Sequence, residues 1–74
     1  MKLHTVSLHT PGTLHIVDAK TGALVNRITY PGELINGPIV VGDKCTFVTQ
    51  LTNGGKLGRI HKIPTGALVN QYPV

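Results

Sequence analysis

The hexapeptide Thr21-Gly22-Ala23-Leu24-Val25-Asn26 returns letter for letter as Thr65-Gly66-Ala67-Leu68-Val69-Asn70, displaced by 44 residues. Six consecutive identities in a chain of 74 residues mean that one structural unit is used twice. Periods of about 40–45 residues belong to propeller blades and to helical repeats, and composition separates the two. The longest stretch free of Gly and Pro, residues 43–53, is only 11 residues and is rich in Thr and Val. That is too short and too β-branched for a helical repeat. The similarity extends backwards: Gly12-Thr13-Leu14 precedes the first copy as Gly55-Lys56-Leu57 precedes the second, with one residue of slippage. Further back, Thr5-Val6-Ser7-Leu8 matches Thr46-Phe47-Val48-Thr49 loosely.

Turn chemistry divides the chain into seven short strands, expected at residues 3–8, 13–18, 23–29, 38–41, 45–51, 57–62 and 67–72. The turns are Thr10-Pro11-Gly12, Lys20-Thr21-Gly22, Pro31-Gly32, Gly42-Asp43, Asn53-Gly54-Gly55 and Pro64-Thr65-Gly66. In them Gly supplies positive φ and Pro presets the bend. Leu14 and Ile16 alternate with Thr13 and His15, as a strand with one buried face requires. The fold class expected is all-β, an antiparallel meander of about seven strands in one domain spanning 1–74. Repeat 1 covers about 3–30 and repeat 2 about 38–72. With 41% apolar residues but three aromatics and one cysteine, the core is aliphatic and thin, and no disulfide within one chain can reinforce it. A domain this small is marginal alone unless a metal, cross-links or self-association adds stability.

The stretch Gly12-Thr13-Leu14-His15-Ile16-Val17-Asp18-Ala19-Lys20-Thr21-Gly22-Ala23-Leu24-Val25 resembles the blade signature of quinoprotein-type (PQQ-like) β-propellers. In that signature a Gly-x-Leu strand leads through Asp-Ala-x-Thr-Gly into a second strand. Gly37-Pro38-Ile39-Val40-Val41-Gly42-Asp43-Lys44 is similar to the family's next segment, and Gly55-Lys56-Leu57 opens a second unit. The resemblance spans most of residues 5–70 and implies blade-like sheets. Where the family places a tryptophan that locks neighbouring blades, this chain has Asn26 and Asn70; in the second copy Lys62-Ile63-Pro64 replaces Asp18-Ala19-Lys20. Two blades cannot close a ring that typically needs roughly four to eight, so either several chains complete one or the strands form an open sheet or sandwich that buries its edges against partners. It carries no quinone site, because that cofactor needs a closed, multi-blade pocket.

Chemistry finds little support. His4, His9, His15 and His61 lack the paired spacing of structural metal motifs, although a hairpin around Pro11-Gly12 could bring His4 and His15 to one face. Asp18, Glu33 and Asp43 offer no acid and base pair, no serine sits in a nucleophile elbow, and the glycines lie in turns instead of opening a helix. No catalysis, metal or cofactor is expected. Asp18 and Asp43 serve turns, and Cys45 is a small buried residue. Asn26 and Asn70, at one repeat position, are candidates for contacts that cap or ladder between units.

Seven Lys or Arg against three acids give a net charge of +4, but the cations are scattered from Lys2 to Lys62. Only Lys56, Arg59 and Lys62 stand close enough in sequence to form a patch, which makes nucleic acid or another acidic partner the alternative. The N-terminal stretch mixes His4, Thr5, Ser7 and His9 into its apolar residues, unlike a signal peptide, and no aliphatic run exceeds three residues. Cytoplasmic synthesis without a membrane partner is expected. The function expected is a non-catalytic structural or assembly protein, a small bacteriophage virion component in kind. Its β edges and apolar faces would be completed by copies of itself or by a larger structural protein.

Overall fold

The computed structural model describes residues 3–9 and 11–74; Lys2 of the scattered basic set and Thr10 of the first turn lie outside the described residues. The fold is all-β, as the turn spacing predicts. Strands β1 (His4–His9), β2 (Thr13–Asp18) and β3 (Leu24–Thr29) form one antiparallel sheet in the order β1-β2-β3. Strands β4 (Leu34–Val41), β5 (Lys44–Gln50), β6 (Lys56–Lys62) and β7 (Leu68–Pro73) form a second in the order β4-β5-β6-β7.

Six strands begin and end within one residue of expectation. The fourth begins earlier, at Leu34, because Gly37-Pro38 does not open a strand. It sits inside one, at a register shift between Asn36 and Ile39 where Gly37 has φ 63°. A proline is tolerated there because a bulge frees its position from the hydrogen-bond ladder.

The repeat is exact in register as well as in sequence. Ile16 pairs with Asn26 and Val17 with Leu24 across an irregularity; Ile60 pairs with Asn70 and His61 with Leu68 across the same irregularity. The displacement of 44 therefore runs back through the preceding strand. Leu14 opposite Ile28 corresponds to Gly58 opposite Tyr72, so the sequence alignment of Leu14 with Leu57 is one residue out. The two halves of the exchange depend on each other: a side chain at Gly58 would run into the ring of Tyr72, which lies over it. Strands β1 and β5 correspond at a displacement of 40, since His4 pairs with Asp18 as Lys44 pairs with Lys62. The slippage is a longer hairpin between β5 and β6. Among the described residues strand β4 has no counterpart in the first sheet.

Each sheet has two faces with period 2. Call face A the one bearing Leu14, Ile16, Asn26 and Ile28 in the first sheet, and Gly58, Ile60, Asn70 and Tyr72 in the second. Face B bears His15 and Arg27 in the first, and Arg59 and Gln71 in the second. The core forms where face A of the first sheet packs on face B of the second. Leu14, Ile16 and Ile28 join Ile35, Cys45, Phe47 and Ile63 in one buried cluster, with Val6, Tyr30 and Val40 against it. Burial along β5 alternates accordingly, with Cys45, Phe47 and Thr49 inside. The two sheets thus stack head to tail, with unlike faces in contact.

Candidate functional site

The chemistry-bearing side chains converge on the junction between the repeats, and the connection from β3 to β4 delivers two of them, Tyr30 and Glu33. Tyr30 enters it as its N–H donates to Gly12 O at 2.7 Å, and Pro31-Gly32 turns the chain so that Glu33 N–H donates to Tyr30 O at 3.1 Å. Gly12 at φ 83° is required there, since any Cβ would collide with the Tyr30 carbonyl. Arg59, only 7% exposed, is the hub. Its Nε donates to Thr49 Oγ1 at 2.9 Å, one terminal nitrogen to Gln71 Oε1 at 2.9 Å and the other to Glu33 Oε1 at 3.0 Å. Its guanidinium lies 3.9 Å over the Tyr30 ring. A buried guanidinium is tolerable only when its donors are engaged in this way.

His61 is the second element. Its Nδ1–H donates to Gly66 O at 2.8 Å, which leaves Nε2 to accept from the Tyr30 hydroxyl at 2.6 Å. Burial first, and the nearby Arg59 charge after it, lower the His61 pKa against the opposing pull of the Gly66 carbonyl, so the ring is held neutral. Phe47 stacks on His61 with centroids 5.4 Å apart, and Tyr30 meets both rings edge-on. Burial raises the Tyr30 pKa, with Arg59 opposing, so the phenol stays protonated and donates. Burial likewise raises that of the Cys45 thiol, which suits an inert core residue. Among the described residues no buried side-chain nitrogen or oxygen lacks a partner. The network is saturated: it ties the β6–β7 turn and the β3–β4 connection into the core and leaves no activated nucleophile.

Asn26 completes the junction. Its Oδ1 accepts Arg27 N–H at 2.8 Å, which orients the amide so that Nδ2 donates to Pro64 O at 3.2 Å and to Thr65 O at 2.9 Å. Repeat 1 thereby grips the Thr-Gly turn of repeat 2. Asn70 is set in the same way, with Oδ1 accepting Gln71 N–H at 2.9 Å, but it is exposed.

The basic stretch separates. Arg59 is buried and ion-paired, while Lys56 and Lys62 are exposed at opposite ends of β6, six residues and so about 20 Å apart. Lys44, beside Lys62 in register, pairs with Asp43 at 3.0 Å, an exposed contact that lowers the Asp43 pKa. His4 and His15 fall on opposite faces, because His4 pairs with Asp18 on face A while His15 pairs with Ser7 on face B. It is His9 that meets His15, in a stack with centroids 3.6 Å apart. The His15 pKa is lowered by partial desolvation, then by His9 and Arg27. No group of three or more metal-ligating side chains exists among the described residues. Asp18 Oδ1 accepts Lys20 N–H at 2.8 Å and Thr21 N–H at 3.1 Å, as a turn carboxylate should.

Sequence reading missed Tyr30, Glu33, Thr49 and His61 as parts of one site. Their only signal was negative: His61 replaces Val17 and Arg59 replaces His15 at equivalent positions, polar residues where a core face demands partners. No helix among the described residues is long and apolar enough to cross a membrane. No family model, curated protein or solved structure matches the chain.

Proposed function

We propose that the chain is a non-catalytic structural or assembly module that self-associates through its sheet faces, with a many-copy particle such as a virion as its setting. The observation that carries this reading is the uncovered face A of the second sheet. Leu34, Ile39, Val41 and Tyr72 lie on it, and each is 45–67% exposed. A chain that among its described residues buries seven apolar ones while leaving eleven large ones exposed gains most by covering them with protein. The saturated junction supports the absence of catalysis in this reading: its polar groups are spent on one another.

Nucleic-acid binding is the weaker alternative, since the one dense run of cations loses Arg59 to the interior. The test is mass in solution by light scattering at micromolar concentration. A species larger than 7.9 kDa is expected, and a stable folded monomer overturns the reading.

A further inference from the structure

The contact between the two repeats has both of its halves displayed a second time, unused, on opposite sides of the molecule. The donor half is Asn70. It shares with Asn26 the bulged register, the flanking Leu-Val pair and the bond from Oδ1 to the next residue's N–H, yet its amide is exposed. The acceptor half is the Lys20-Thr21-Gly22 turn, which shares its closing backbone hydrogen bonds and its left-handed glycine with the Pro64-Thr65-Gly66 turn, although the peptide into Pro64 is cis and that into Lys20 is trans. Gly22 N–H donates to Asp18 O and Gly66 N–H to Lys62 O, both at 2.7 Å. Asp18 N–H donates to Ala23 O at 2.9 Å and Lys62 N–H to Ala67 O at 2.8 Å, and φ is 77° at Gly22 and 79° at Gly66. The Thr21 carbonyl beside Gly22 therefore corresponds to the Thr65 carbonyl that Asn26 holds, with the Lys20 carbonyl next to it in the place of Pro64 O. Both residues are exposed, beside an open groove lined by Leu3, Ala19, Ala23 and Val25.

The faces agree with the turns. Inside the molecule, face A of one sheet covers face B of the next. What remains open is face A of the second sheet and face B of the first, the two partners such a contact needs. The apolar load sits on the donor side, at Ile39, Val41 and Tyr72; the acceptor side offers Thr5, Val17 and the His15–Arg27 pair. Face B of the second sheet is similarly mixed, with Arg59 and Thr49 beside Phe47, and it seats Leu14, Ile16 and Ile28.

We propose that a second copy of this chain docks head to tail. Face B of its first sheet covers face A of the second sheet, and Asn70 donates to the carbonyls of the copy's Lys20 and Thr21. The proposal rests on the self-association reading and specifies its geometry. The contact joins unlike surfaces, so each copy keeps a free donor side and a free acceptor side, and growth continues until a ring closes or a filament forms.

Two variants at exposed positions separate the halves. Asn70→Asp removes the donor and sets a carboxylate against two carbonyls; Thr5→Arg puts a long cation at the position equivalent to Cys45, on the edge strand of the acceptor face. Each alone is expected to weaken association at least tenfold in sedimentation velocity, with circular dichroism unchanged. A one-to-one mixture should form a dimer, because one intact donor and one intact acceptor remain. If the wild type associates but neither variant weakens it, or if the mixture stays monomeric, the head-to-tail contact is overturned while self-association stands. A wild type that is itself monomeric overturns both.

Discussion

The two Thr-Gly turns of this molecule share the Thr-Gly-Ala-Leu-Val-Asn sequence, the closing backbone hydrogen bonds and a left-handed glycine, although the peptide into Pro64 is cis where that into Lys20 is trans, and their surroundings differ. At Thr21-Gly22 the surroundings are the Asp18 carboxylate, which accepts from Lys20 and Thr21, and an open groove lined by Leu3, Ala19, Ala23 and Val25. At Thr65-Gly66 they are Asn26, Ile28 and His61, from two sheets, with Ile63 buried beneath in place of an exposed Ala19. Local sequence is sufficient for the turn, because a glycine at positive φ and a threonine hydroxyl at the bend fix it from within. Burial comes from the neighbouring repeat, and under it His61 and Arg59 stand at the positions that Val17 and His15 occupy on the open face. A repeat that acquires a neighbour on its face B can hold polar groups there, provided they are satisfied.

The sharpest way to break this comparison is at the equivalent pair Arg59 and His15. Arg59→Ala removes one partner of a mostly buried ion pair and strands Glu33, with Thr49 and Gln71 losing a donor, so a loss of about 3–5 kcal/mol is expected. His15→Ala, on the open face, should cost no more than about 0.5 kcal/mol. Urea unfolding at one fixed protein concentration measures both, since association would otherwise shift the midpoint. Equal losses at the two sites would mean that the junction carries no special share of the stability.

Seven strands, their turns and the all-β class were legible in the sequence, because turn residues and period-2 patterning act over a few positions. Asn26 and Asn70 also stood out, since exact repetition marks a position without needing its contacts. Pairing of Arg59 with Glu33, 26 residues away, was not legible. Arg59 in a run with Lys56 and Lys62 reads as surface charge, and only the stacking of one sheet on another shows that its side chain points inward. The hidden extension of β4 has a similar cause: Gly37-Pro38 is a turn signal locally, and only pairing of Leu34–Asn36 with β5 converts it into a bulge.

Glycine substitutions sharpen the comparison next. Alanine at Gly22 meets open space, so the left-handed backbone alone costs about 1 kcal/mol. Alanine at Gly66 adds a Cβ 3.3 Å from Asn26 Nδ2 and 3.8 Å from Ile28 Cγ1, disturbing the bond that joins the repeats. A loss of about 2 kcal/mol is expected there, and the difference between the two midpoints is the contribution of the neighbour. Identical midpoints would reduce the junction to backbone strain.

The two asparagines come third. Asn26→Ala gives up two bonds to Pro64 and Thr65, both partly accessible to water, and should cost about 1 kcal/mol. Asn70→Ala should leave the unfolding of a dilute chain within about 0.5 kcal/mol of wild type. A large effect of Asn70→Ala on the dilute chain would mean that its amide already has a partner within the molecule.

The smallest effect separates His61 from His15 by acidity. Both have folded-state pKa values below the ordinary imidazole value, so the unfolded chain binds more protons than the folded one as pH falls through that value. Stability is therefore full above about pH 6.5, declines as the pH drops toward the folded-state values, and loses nothing further from these groups below them. For His61 the cause is burial against Arg59, and a proton on Nε2 would also displace the Tyr30 hydroxyl hydrogen that this nitrogen accepts. His61→Gln keeps a polar side chain at the Gly66 carbonyl and cannot titrate. It should flatten most of the decline in unfolding free energy between pH 7.5 and pH 5.5. His15→Gln, whose ring is partly desolvated and lies near His9 and Arg27 on the open face, should leave most of that decline in place. If His15→Gln instead abolishes the decline, the acid sensitivity belongs to the open face and the buried imidazole titrates no differently from one in the unfolded chain.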